Sequence, residues 1–221
     1  MDRSKAAALF VDLQEEHRQD QRYLVEGFEA VLGHVQKLQQ AARDAEVPVY
    51  HSAYVVDLDA HAHKPFHPVM PDGTSAFSDV SNPLSAICPE VGPAGDEIVL
   101  VKTDASAFAQ GDVALLLRSR GVEWVVIAGV WTEACIAATV NDAIRLGFRV
   151  ILVKDACGSA TQAMHQTAIL NLANRLYGGC VVDTDAAARL LAGATVEAWM
   201  VQGSVPIRFT LDNAGELYGQ L

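Results

Sequence analysis

The sequence predicts a single-domain α/β fold: a doubly wound, mainly parallel sheet with helices on both faces. Three observations predict it. Short continuous apolar runs recur along the chain, stretches of helical period separate them, and the turns between are short. A run with no polar alternate residue marks a strand buried on both faces, and successive strands of that kind pair in parallel through crossover helices.

The elements follow in order. Residues 6–11 form an apolar run ending in Asp12. Between Leu24 and Ala45, Val25, Phe28, Val31, Leu32, Val35, Leu38 and Ala42 fall at helical spacing. Residues 47–50 read as a second strand, entered through Pro48. Residues 57–96 lack periodicity and hold six of the eight prolines, so a long functional loop or lid is expected there. A third strand at 97–101 runs into Lys102, and a helix at 113–118 closes at Gly121. Residues 124–129 are a fourth, fully apolar strand, and a helix from Thr132 to Arg145 stops at Gly147. A fifth strand at 148–153 ends in Lys154 and Asp155. A helix from Thr161 to Leu176 then leads through Gly178 and Gly179 to a sixth strand at 180–182. This rhythm defines a domain over residues 1–195. Residues 196–221 leave it, and their 205–209 stretch suggests an added edge strand or an intersubunit arm.

Composition narrows the function. Of 221 residues, 51% are hydrophobic and 19% charged, a globular balance whose core needs no disulfide or metal staple. A net charge of -11 with no basic cluster argues against nucleic acid as a partner. No apolar run is long enough to span a membrane, and the first residues lack the features of a signal peptide. Cys88, Cys135, Cys157 and Cys180 are scattered, which fits free thiols and a cytoplasmic location.

In such a sheet, functional groups gather beyond the carboxyl ends of the strands. Asp12, Lys102 and Cys135 all fall there. A carboxylate closing an apolar strand needs a partner, and Lys102 is the natural one. Cys135 sits in the first turn of its helix, with Thr132 as the expected N-cap. Free N–H groups, the helix dipole and Lys102 would then favour thiolate. The plainer readings are an Asp–Lys pair that caps the sheet and a cysteine that is merely a small buried hydrophobe.

These residues lie in segments that resemble the isochorismatase-like cysteine hydrolases, a family that includes nicotinamidases, N-carbamoylsarcosine amidase and ureidoacrylate amidohydrolase. The resemblance rests on Leu9-Phe-Val-Asp-Leu-Gln14, on Val101-Lys-Thr-Asp-Ala-Ser-Ala-Phe108 and on Ile127-Ala-Gly-Val-Trp-Thr-Glu-Ala-Cys135. It continues through the stretches at 138–143, 147–150 and 153–156 and through His165, in order, from about Ala6 to Leu191. It implies an Asp12–Lys102–Cys135 catalytic triad, a cis peptide between Val130 and Trp131, and an oxyanion hole built from the N–H groups of Trp131 and Cys135. It further implies hydrolysis of a small linear amide, ureide or carbamoyl compound through a thioester, with no cofactor, by a homo-oligomer (dimer or tetramer).

The nicotinamidase metal pair after the second strand is missing from Tyr50-His-Ser-Ala-Tyr-Val55. His61, His63 and His67 cluster a few residues later without that carboxylate, so no metal is expected. Retention of Cys135 favours C–N cleavage over the vinyl-ether hydrolysis of the isochorismatase branch. The remaining alternative is a silent member used for binding or assembly. Neighbours of the triad, His17, Tyr54, Phe108 and Trp131, are the candidate substrate-binding residues.

Overall fold

The computed structural model describes residues 1–60, 63–109 and 113–221. Its strands are β1 (Ala6–Val11), β2 (Val49–Tyr54), β3 (Ile98–Lys102), β4 (Trp124–Val130), β5 (Arg149–Gly158) and β6 (Cys180–Val182). Its helices are α1 (Glu16–Gln19), α2 (Phe28–Asp44), α3 (Val113–Ser119), α4 (Ala137–Arg145), α5 (Gln162–Ala173), α6 (Thr184–Leu191) and α7 (Ala214–Gly219). The strands pair in parallel in the order β3-β2-β1-β4-β5-β6, the doubly wound α/β architecture that the sequence predicts.

The apolar runs explain why β1 and β4 lie at the centre. All six residues of β1 are buried, and alternate side chains supply the two separate cores on the sheet's faces. Ala6, Ala8 and Phe10 pack with α2 and α6, whereas Ala7, Leu9 and Val11 pack with α3, α4 and α5. Each large apolar side chain so buried contributes about 1.5–3 kcal/mol.

Several boundaries differ from the sequence reading. The second helix starts at Phe28, behind Gly27 in the left-handed region, so Leu24 and Val25 lie outside it. The fifth strand does not end at Asp155. It continues to Gly158 across an irregularity opposite Ile127 and Gly129, which lets Val130 pair with Gly158. The helix expected from Thr132 begins instead as a π turn, Thr132–Ile136, before α4.

At Gly129 the backbone of β4 lies directly against that of β1. A Cβ there would lie 2.1 Å from the Val11 carbonyl oxygen, and φ is +127°. Only glycine suits that position.

Residues 205–209 are irregular. Trp199 makes an antiparallel bridge to Val181, the Asn174 side chain brackets the backbone of Ile207, and α7 packs on α5. Among the described residues no helix is long and apolar enough to cross a membrane.

Candidate active site

Three strand ends deliver three groups to one point. Asp12 directly follows β1 in the left-handed region at φ +53°, a conformation that Asp tolerates better than most residues and that costs about 1–3 kcal/mol. Its Oδ1 accepts from the Ser52 hydroxyl at 2.8 Å, and its Oδ2 lies 2.6 Å from Lys102 Nζ. The latter contact is an ion pair without the alignment of a good hydrogen bond. Lys102, the last residue of β3, is 1% exposed. Its ammonium donates to the carbonyls of Asp104 (3.0 Å) and Ala105 (2.9 Å) and lies 4.7 Å from the centre of the Tyr54 ring. With two of its three protons so engaged, the third is left for Asp12 and for Cys135 Sγ at 3.5 Å. A buried pair of this kind is tolerable only with such extra bonds.

Cys135 sits inside the π turn. The Trp131 carbonyl accepts from the N–H groups of Ala134 and Ile136, which bracket it. Thr132 does not cap the helix. Its hydroxyl donates to the Gly158 carbonyl at 2.8 Å, which ties the turn to β5. Nor does the thiol have a lowered pKa. Burial, reinforced by the facing Asp12 carboxylate, pushes Cys135 up to about 12, and Lys102 offsets this only in part. The expectation of a resting thiolate is therefore overturned: desolvation and a like charge outweigh the ammonium.

Asp12 and Cys135 line a cavity of about 540 Å³, and the buried Lys102 ammonium sits behind them. Of the predicted pocket residues, His17, Tyr54 and Trp131 line it. The Val130–Trp131 peptide is cis. The Trp131 indole donates to His17 Nδ1 at 3.1 Å. Nδ1 also lies 3.3 Å from the Tyr23 carbonyl, which would require a proton there; the shorter indole contact, whose N–H can only donate, assigns Nδ1 as the acceptor and the His17 proton to Nε2. Burial lowers the His17 pKa, which keeps the ring neutral. Tyr54 donates its hydroxyl to the Thr103 carbonyl at 2.9 Å, and burial raises its pKa to about 12.

Phe108 does not line the cavity. It stacks on Phe148 at 5.8 Å and packs against the core on the α3–α5 side of the sheet. Sequence proximity to Lys102 misled here, because the chain turns away around Ser106, whose Oγ accepts the Phe108 N–H.

Sequence reasoning missed Ser52 and Gln14. Both are polar residues at 1% and 0% exposure, and that polarity inside otherwise apolar segments was the available signal. Gln14 holds both backbone groups of Tyr54, at 2.9 and 2.8 Å, and so fixes the end of β2 against β1. The opposite wall comes from the long connection. Phe77 lies against Tyr23 (5.9 Å), Tyr54 (5.5 Å) and His67 (4.9 Å). Arg22 and Lys64 reach the cavity while paired with Asp20 and Asp104.

Of the histidine cluster, His61 lies outside the described residues. His67 is committed to the Ser75 hydroxyl at 2.6 Å. Among the described residues no group of three or more His, Cys, Asp or Glu is arranged to hold a metal.

The fold and this cluster together define a doubly wound α/β protein whose cysteine, carboxylate and ammonium meet beside a cavity at the carboxyl ends of the strands. The chain belongs to the isochorismatase family, whose isochorismatase domain model matches residues 6–186. It is 40% identical over 114 residues to the maleamate amidohydrolase of Pseudomonas putida, covering 51% of this chain and 53% of that protein. It is 28% identical over 170 residues to the N-carbamoylsarcosine amidase of an Arthrobacter species, covering 75% of this chain and 62% of that one. The chain thus spans less than two thirds of the length of either relative. In structure it is similar to an isochorismatase family protein from Desulfovibrio vulgaris, with a TM-score of 0.76 and 27% identity over 85% of this chain and 98% of that one.

Proposed function

We propose that this protein is a cysteine-dependent hydrolase that cleaves the C–N bond of a small linear amide, ureide or carbamoyl compound. The observation that carries the reading is the meeting of Asp12, Lys102 and Cys135, at 2.6 and 3.5 Å from the ammonium, beside a cavity of substrate size. The two relatives compared above by sequence are named for amide chemistry, which supports C–N over ether cleavage.

Because the resting thiol is held protonated, its deprotonation belongs to the attack itself. Asp12 takes the thiol proton as Sγ bonds to the carbonyl carbon, and the N–H groups of Trp131 and Cys135 receive the oxyanion. As Asp12 becomes neutral, the main charge opposing the sulfur's negative charge disappears. The tetrahedral intermediate then collapses, the C–N bond breaks, and Asp12 returns its proton to the departing nitrogen. Water, deprotonated by Asp12, hydrolyses the thioester and restores the thiol. Lys102 keeps carboxylate and sulfur in register throughout, and no cofactor takes part. The aromatic wall of Tyr54, Phe77 and Trp131 suits a flat, small acyl group.

The same reading takes the protein to be a cytoplasmic homo-oligomer. On the edge strand β3, Val101 is 62% exposed and Val99 37%, apolar surface of the kind subunit contacts cover. Mass measurement in solution tests this, and a monomer would reject it.

Ammonia release from a panel of small amides and ureides tests the chemistry. Turnover of at least one compound, abolished in Cys135→Ser, is expected. Undiminished turnover in that variant would remove the cysteine from the mechanism, and vinyl-ether cleavage alone would move the activity to the isochorismatase branch.

A further inference from the structure

The Cys135 turn is anchored by polar groups that do not line the cavity. Tyr218 on α7 places its hydroxyl 3.1 Å from His165 Nε2. His165 Nδ1 lies 2.8 Å from Thr132 Oγ1, and that oxygen lies 2.8 Å from the Gly158 carbonyl. The directions of these bonds follow from counting protons. A carbonyl only accepts, so the single Thr132 hydroxyl proton goes to Gly158, and the proton between His165 and Thr132 comes from Nδ1. Burial drives His165 down to about 4, so the ring is neutral near pH 7 and Nε2 is left to accept from Tyr218. A directed chain thus runs from Tyr218 to His165, on to Thr132 and finally to the Gly158 carbonyl.

Both ends of this chain are held. Lys154 Nζ donates to the Tyr218 carbonyl at 3.1 Å and lies 5.0 Å from the centre of its ring, while Gly158 pairs with Val130 in the sheet. Thr132 is the first residue of the π turn that carries Cys135. A π turn spans one residue more than an α turn and is rarely stable by itself, so an outside anchor on its first residue decides where the sulfur sits relative to Asp12.

We propose that Tyr218, His165 and Thr132 are positioning residues for the nucleophile turn, so that the C-terminal helix sets the attack geometry of Cys135. For turnover the proposal rests on the hydrolase reading above; for thiol reactivity it does not.

The experiment compares Tyr218→Phe, Thr132→Val and Thr132→Ser in the full chain. It reads kcat and KM on an amide that the unmodified protein hydrolyses, and the iodoacetamide alkylation rate at Cys135 by site-resolved mass spectrometry. Tyr218→Phe and Thr132→Val should each lower kcat by about three- to tenfold, the value of one ordinary hydrogen bond, with KM unchanged. Alkylation at Cys135 should shift by about threefold or more in the same two variants, and Thr132→Ser should restore both quantities. Equal losses in Thr132→Ser and Thr132→Val would overturn the proposal, as would unchanged kcat and alkylation in a folded Tyr218→Phe protein. If no amide is turned over at all, the hydrolase reading fails. The alkylation series still decides the positioning role, since rates identical across the variants reject it and separated rates with serine rescue support it.

Discussion

Two cysteines lie just beyond the centre of the sheet, on neighbouring segments, and their comparison shows what makes a thiol a candidate nucleophile. Cys135 lies in the turn after β4, and Cys157 lies on β5 where it pairs with Gly129. Burial raises both to about 12. By acidity the two cannot be told apart. What differs is the company each keeps. Cys157 packs in the apolar core at the edge of a smaller cavity of about 270 Å³, is raised further by the Asp155 carboxylate, and is relieved only by a backbone bond from Gly129. Cys135 faces a carboxylate that can take its proton, an ammonium that can hold the result, and a cavity that can admit a substrate. A perturbed pKa thus marks desolvation in both places, and only the neighbours distinguish chemistry from packing.

The sharpest way to break this comparison is Asp12→Asn. Losing the base should cut amide turnover by about a thousandfold. The same change removes a charge that raises the thiol pKa, so Cys135 should alkylate faster than in the unmodified protein at pH 8. In the unmodified protein the Cys135 alkylation rate should still climb about tenfold per unit between pH 8 and 10, because the thiol titrates far above that range. A plateau by pH 8 would show a resting thiolate and sink this account.

Lys102→Met tests the ammonium. It strands the buried Asp12 carboxylate and should cost about 3–5 kcal/mol in denaturant unfolding, whereas a loss under about 1 kcal/mol would show that the pair is dispensable. Phe77→Ala opens the wall opposite the sulfur and should raise KM by about tenfold with little change in kcat; a purely kcat effect would place Phe77 outside the binding surface. Cys157→Ala is the smallest change. Turnover should be unaltered, and stability should fall by about 1 kcal/mol from the lost packing. A loss of activity there would erase the distinction between the two thiols.

The fold class and the three cluster residues were legible because each depends on a local signal, a polar or reactive residue closing or following an apolar run. Whatever depends on register or on tertiary return of the chain was not. Ser52 reaches Asp12 only because β2 pairs Ser52 with Val11, and nothing along the sequence states that register. Phe77 and Tyr23 belong to segments without periodicity, placed by contacts with Tyr54 and Glu16 rather than by propensity. Thr132 read as a helix cap because Thr often caps, but its hydroxyl is drawn to Gly158, a partner 26 residues away. Local preference lost to a better-placed distant acceptor.

A missing methyl group at Gly129 sets the spacing of the two central strands. With hydrogen in place of a side chain, Gly129, six residues before Cys135, closes to within backbone contact of Val11, one residue before Asp12. Adding a single carbon would wedge those strands apart just before the positions of the Asp12 carboxylate and the Cys135 turn. The reach of the chemistry is therefore set by an atom that is not there.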